Sequence, residues 1–353
     1  MIPVLSPSLH IRPLRIDEAS LVGHAINELL RKTPYSTPME ETEIKDQLLH
    51  SQPPTLYQAK WQRHLRLCAW LAGELEGFID AATGFDQESM DRPEYRPIGL
   101  LRFLVLPGKT ELIQDVATSL LSAAEDFWRN AGIGSVKAFH MSTGYPSFQA
   151  GLGVLPSDWT THIRVLTGAD FRLAERFYSL RRALDQPLEE ITPLAQLSVV
   201  PRGRLNDRHY QVYRQTEWIA SARITNLTLP HAPFTESARA TALATEPVRF
   251  TPPPHEQARF MALPHEQARF VEEEKRITRI ANLVDLRVAT GWQRQNIGKW
   301  LLRRVINDAI TQGYHQMLVH VPHRAHIALN LFNQVGFQEE NYRGYTLEKE
   351  LTK

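Results

Sequence analysis

The stretch from Leu283 to Gly313 constrains the fold more than any other part of this 353-residue chain. Leu283-Val284-Asp285-Leu286-Arg287-Val288 alternates apolar with polar residues, as a strand buried on one face should. Leu301, Leu302, Val305, Ile306, Ala309 and Ile310 then recur at helical spacing until Gly313 ends the run. Between the two lies a short polar loop. A helix that opens straight from such a loop presents free backbone N–H groups and a partial positive charge, which together suit a phosphate. Gly298 leaves room for close approach, and Arg294 and Lys299 add charge. Physics alone predicts an anion site here.

The loop residues say more. Gln293-Arg294-Gln295-Asn296-Ile297-Gly298 resembles the Q/R-x-x-G-x-G/A loop of the GNAT N-acetyltransferase superfamily. The resemblance implies that the backbone of Gln293, Arg294, Gln295, Asn296, Ile297 and Gly298, with Lys299, holds the pyrophosphate of acetyl-coenzyme A. It also implies that strand backbone at Leu286, Arg287 and Val288 binds the pantetheine arm. Asn296 stands where the first glycine belongs, and asparagine tolerates the left-handed backbone best after glycine. Downstream, Tyr314 to Val321 reads as a strand and Ala325 to Val335 as a helix. Leu331-Phe332-Asn333-Gln334-Val335-Gly336-Phe337 resembles the family's "LYxxxGF" segment, and Tyr345 to Leu351 reads as a closing strand.

An earlier part of the chain repeats the same order. Leu9 to Leu14 predicts a strand, Ile16 to Leu30 and Met39 to Leu49 predict helices, and residues 67–72 and 78–82 predict a hairpin. Leu100 to Leu106 then predicts a strand and Glu111 to Asn130 a helix. This first unit lacks the loop. Pairing the two Leu-Leu motifs sets Leu112 against Gln293 and Asp115 against Asn296, and a carboxylate there repels a pyrophosphate. Gly108-Lys109-Thr110 is no P-loop, because Phe103 stands where the motif needs its first glycine.

The resemblance therefore implies an α/β (α+β) protein of two tandem GNAT-like domains, each a mixed central sheet flanked by helices. Residues 1–168 form a degenerate N-terminal domain, and residues 169–353 carry the acetyl-CoA loop. The plan is similar to that of mycothiol synthase, though no motif assigns that chemistry. At the junction, residues 162–166 are expected to be a strand and residues 171–184 a helix. Residues 210–214 and 218–224 predict a second hairpin. An insertion follows at about 226–276, carrying Pro-His-Glu-Gln-Ala-Arg-Phe twice, at 254–260 and 264–270. The ten-residue offset does not place His255 and His265 on one helical face, so no metal is expected. The insertion reads as a lid or a contact between copies of the chain, a homo-oligomer.

Composition excludes several function classes. Forty Lys and Arg against 39 Asp and Glu leave no field for nucleic acid or an anionic membrane. No run of about 18 apolar residues appears, and no signal-like start. The single cysteine, Cys68, is expected in the core, and a cytoplasmic setting is expected with it.

Acetyl transfer to an amine needs the donor held, the amine deprotonated and the leaving thiolate stabilised. His320, which interrupts an apolar strand, and Asp285 are the candidate bases. Each has a plainer reading: His320 as a packed histidine, Asp285 with Arg287 as a solvated strand face. Phe332 replaces the tyrosine that serves many GNAT enzymes as acid, so Tyr342 and Tyr345 are the nearest substitutes. The sequence reads as an N-acetyltransferase for a small-molecule or peptide primary amine, the alternative being a catalytically silent acyl-CoA-binding module.

Overall fold

The computed structural model describes residues 8–56, 59–85, 97–141, 144–204, 206–226 and 279–351. The first half runs β1 (His10–Pro13), α1 (Ala19–Leu30), α2 (Glu41–Leu49), β2 (Lys60–Leu71), β3 (Glu74–Phe85) and β4 (Ile98–Val105). It continues through α3 (Ile113–Asn130), β5 (Ser135–Ala138), β6 (Leu155–Pro156), α4 (Thr160–Gly168) and β7 (Arg172–Ala183). The second half runs β8 (Leu197–Arg204), β9 (Asp207–Arg214), β10 (Glu217–Asn226) and β11 (Ile280–Val288), then α5 (Ile297–Thr311), β12 (Gln316–Pro322), α6 (His326–Gln334) and β13 (Gln338–Glu350). Most of the predicted insertion, residues 227–278 with both heptapeptides, lies outside the described residues.

Local chemistry explains the elements. Ala72 and Gly73 both have positive φ, the twist that a two-residue hairpin between β2 and β3 requires. Helix α3 buries Val116, Ala117, Leu120, Leu121, Ala124 and Trp128 along one stripe, and the Trp128 indole N–H donates to the Ala82 carbonyl at 3.0 Å. Helix α5 buries Trp300, Leu301, Val305, Ile306 and Ala309 in the same way. The two stripes anchor two separate cores, one per half.

One mixed sheet unites the halves, in the order β1-β2-β3-β4-β5-β13-β7-β12-β11-β10-β9-β8, with β6 paired to β13. At the seam each half takes in the other's last strand. β13 pairs with β5, Leu347 opposite Ala138, and β7 pairs with β12, Ser179 opposite His320. Leu347 and Leu351 consequently pack into the first core.

Two expectations at the junction are reversed. Residues 172–183 form a strand, not a helix, although Leu, Ala, Glu and Arg favour helix. Pairing on both edges, with β12 and β13, outweighs that preference. Residues 160–168 form a helix where a strand was expected at 162–166. Val165 and Leu166 pack into the first core, and the buried His162 ring meets the Leu104 carbonyl at 3.0 Å. Sequence reading also missed β8.

Candidate active site

Strands β11 and β12 run parallel and paired from Ile280 opposite Gln316 to Leu283 opposite Val319. Beyond that point, among the described residues, β11 pairs only with β10, so the two strands part after Leu283 and Val319. The β10–β11 register shifts here, leaving Val284 as the extra residue of a bulge. His320 is the first residue of β12 past the paired stretch. Met317, Val319 and Val321 pack into the core with α5, so alternation turns His320 to the opposite face. On β11 the bulge likewise leaves Leu286 and Val288 on the α5 side and puts Asp285 and Arg287 on the other.

The loop closes this opening. Arg294 and Asn296 both adopt left-handed backbone, φ 60°, and Asn296 is the N-cap of α5. Among the described residues no side chain caps the helix. The first bond at its start is Trp300 N–H to the Asn296 carbonyl at 3.0 Å, which leaves the amides of residues 297 to 299 ahead of it as the helix's orphan donors. Gly298 is open: a Cβ there would meet Val288 at 3.4 Å and Leu331 at 3.8 Å. The Gln293 amide reaches back to the Val288 carbonyl at 3.1 Å, and the Gln295 amide to Gly291 at 3.4 Å. Lys299 Nζ donates to Gln334 at 3.2 Å. An uncapped helix start beside two left-handed turns and a bare glycine fits a pyrophosphate.

The first half builds no such place. Its helix α3 has Leu112, not Asp115, as N-cap, because a single 3₁₀ turn at Thr110–Leu112 precedes it. Matching the helix starts therefore sets Gln114 against Gly298 and Asp115 against Lys299, a reversal of charge.

The catalytic candidates separate in space. The His320 ring packs edge-on to Tyr35 with centroids 6.0 Å apart, and Tyr35 packs in the same way on Tyr342 at 6.2 Å. Ser179 Oγ lies 3.0 Å from His320 Nδ1, while Nε2 is shielded and makes no hydrogen bond among the described residues. Burial pushes the His320 imidazole down to about 3, so it is neutral. Tyr342 accepts from the Gln149 amide, and burial raises its hydroxyl above the usual phenol range, so it keeps its proton. Tyr345 is elsewhere, packed against the first core with Arg176 over its ring at 5.8 Å. Asp285 lines a different wall. Arg287 Nε donates to it at 2.8 Å, yet burial raises its carboxyl and Arg287 and Arg223 offset only part of that.

Tyr35, Gln149 and Ser179 escaped the sequence reading. Tyr35 lies between α1 and α2, and Gln149 follows β5, so the first half reaches over the second half's open strands. Phe332 is core, 4% exposed and edge-on to Phe337.

Comparison with known proteins points the same way. The sequence model described as "Acetyltransferase (GNAT) family" matches residues 262–337, spanning β11, the loop, α5, β12 and α6. Residues 262–337 thus match the GNAT family. No curated protein matches the sequence. The fold is similar to a GCN5-related glucosamine N-acetyltransferase region in a fungal multi-domain GH3 β-N-acetylglucosaminidase, with TM-score 0.62 and 12% identity. That match covers 98% of this chain and only 38% of the fungal one. A tandem GNAT protein from the clavulanic acid biosynthesis pathway is similar over 97% of this chain and 98% of its own, with TM-score 0.58 and 12% identity. A GCN5-related N-acetyltransferase from Sphaerobacter thermophilus matches at TM-score 0.52 and 9% identity, covering 97% and 95%. The likeness to a tandem GNAT protein thus extends over the whole chain at the level of the fold. Among the described residues no helix is long and apolar enough to cross a membrane.

Proposed function

We propose that this GNAT protein transfers an acetyl group from acetyl-coenzyme A to a primary amine, with one coenzyme site, in the C-terminal unit. The observation that carries the proposal is the parting of β11 and β12 after Leu283 and Val319 beside an uncapped α5 start. Residues 293 to 299 would hold the pyrophosphate, and the backbone of Leu286, Arg287 and Val288 the pantetheine arm. When bound, the thioester supplies an activated acetyl carbonyl. The amine nitrogen bonds to that carbon, the C–S bond breaks, and the sulfur leaves as thiolate and takes up a proton. The amine gives up its own proton to a base.

Of the two candidate bases Asp285 is the better suited. An imidazole pushed down to about 3 holds a proton poorly, whereas the Asp285 carboxyl is raised. Asp285 would act through a water, and His320 would orient groups through Nε2, which has no partner among the described residues. Tyr342, protonated and held by Gln149, is the candidate acid for the thiolate. Tyr345 is the weaker candidate, because it packs on the first core.

A silent coenzyme-binding module is the second reading. It is favoured by Phe332, a core residue with no proton to give at the place where many GNAT enzymes carry a tyrosine. Release of free thiol from acetyl-coenzyme A with a panel of primary amines decides between them. Amine-dependent thiol release supports the enzyme; coenzyme binding without it supports the module.

A further inference from the structure

A cleft of about 370 Å³ opens on the face of β9, β10 and β11 that carries Asp285. Leu56 from the first half forms one wall, and Trp218, Ser221, Arg223, Asp285 and Arg287 are among the residues that line the others. A cleft of this size takes a small molecule. Its charges are not equivalent. Arg223 is fully engaged: Nε and Nη2 hold Asp207 at 2.8 and 2.9 Å, and Nη1 holds the Leu56 carbonyl at 2.8 Å. Arg287 touches Asp285 through Nε alone, and its two Nη groups make no hydrogen bond among the described residues. Its side chain is 51% exposed. A guanidinium fork with both outer nitrogens free matches a carboxylate in two-point contact.

Resting on the acetyl-transfer reading above, we propose that the acceptor is a small zwitterionic amine of the amino-acid type, with its ammonium on Asp285 and its carboxylate on the Arg287 fork. Asp285 and Arg287 stand two residues apart on one strand face, about 6.7 Å along the chain, and already touch. A molecule carrying both charges on one carbon completes a ring of alternating charge with that pair. A polyamine would bring a second cation against Arg287 and Arg223, which costs affinity. A simple amine would leave the fork unpaired. Trp218, 43% exposed at the cleft, offers an apolar surface to the acceptor's side chain. Burial raises the Asp285 carboxyl, so an ammonium placed there relieves an unfavourable charge.

The test uses the full chain saturated with coenzyme A. The common L-amino acids, their carboxamides and their decarboxylated amines are each titrated in by calorimetry and then assayed for N-acetylation. The expected result is at least one amino acid binding tenfold or more tighter than its carboxamide, about 1.4 kcal/mol. Arg287→Gln, an exposed change that should leave the circular dichroism spectrum unaltered, should bring that ratio near one. Asp285→Asn should weaken acid and amide together. Amides or polyamines binding as well as the amino acids, or a preference that survives Arg287→Gln, would overturn the proposal. Failure of the enzyme reading looks different: the acid preference persists in binding, but no acetylated amine forms.

Discussion

The two halves carry the same parting of strands and treat it in opposite ways. In the first half β4 and β5 pair from Gly99 opposite Val136 to Leu101 opposite Ala138, then part as β11 and β12 do. The bulge recurs too, with Arg102 as the extra residue where the second half has Val284. Matching the two registers sets Phe103 against Asp285 and Phe139 against His320. In the first half the gap is filled by rings. Phe103 stacks on Tyr145 at 5.3 Å and meets Phe148 edge-on at 5.3 Å, Phe139 meets Trp159 at 6.0 Å, and all five are buried. Beside them Arg102, itself between the Trp61 and Tyr145 rings, pairs with buried Asp80 at 2.9 Å. Polar residues, Asp285 and His320, stand at the same places in the second half, and under the proposed function that gap takes the ligand. One scaffold thus yields a packed support and an open site through a few side chains at one register. The support also reaches across, through Tyr35, Gln149 and Leu56.

The largest expected effect tests whether only one gap binds. Calorimetric titration with coenzyme A should give one site per chain, and two equivalent sites would end the comparison. Gly298→Glu should remove binding altogether, because it sets a carboxylate among the helix-start amides. A Cβ at Gly298 makes only ordinary van der Waals contacts, so the variant should fold, which its thermal melt will show. Normal binding by a folded Gly298→Glu protein would sink the loop assignment.

Next comes the filled gap. Phe103→Ala removes a fully buried ring from the aromatic cluster and should cost about 3–5 kcal/mol of stability, measured by denaturant unfolding. It should not create a second coenzyme site, since α3 still presents Leu112, Gln114 and Asp115 at its start. A stoichiometry of two for this variant would mean that the rings, rather than the helix start, exclude the coenzyme.

Part of this contrast is legible in the sequence. The strand–loop–helix of the second half is local, and its periodicity and glycine chemistry point one way, down to the left-handed Asn296. The contacts that complete the site are not local. Gln149 and Tyr342 are 193 residues apart, and no spacing rule joins them. The five rings of the first half fall at irregular intervals, on a strand, in loops and at a helix start, so no periodic pattern gathers them. Strand β7 reads as helix because its helix-favouring residues report local preference, while its conformation is set by partners distant in sequence.

A smaller effect concerns the bridge between the halves. Tyr342→Phe should lower kcat about 10²-fold if its hydroxyl protonates the leaving thiolate. Gln149→Leu, which frees that hydroxyl from its donor, should cost about tenfold, while coenzyme affinity holds in both. Full activity in Tyr342→Phe would remove Tyr342 from the chemistry and leave Phe332 as a sign that no acid is used.

The smallest effect is on stability against pH, and it compares one histidine from each half. Burial pushes His162 down to about 4 and His320 down to about 3, so both are neutral in the folded protein. The unfolded chain binds protons on them below about 6.5. Since the unfolded state then holds more protons, stability must fall as pH drops from about 6.5 towards those lower values. Each histidine should account for about 1 kcal/mol of loss between about pH 7.5 and 5.5. His320→Gln and His162→Gln should each flatten the fall of Tm with acid by a similar step. The absolute cost at neutral pH should differ: His162 has the Leu104 carbonyl within 3.0 Å, whereas His320 leaves Nε2 without a partner among the described residues. His162→Gln should therefore be the more destabilising at about pH 7.5, because its loss strands an acceptor inside a packed core. If His320→Gln proves the costlier there, His320 is a structural residue of the second half, and the orienting role proposed for it falls.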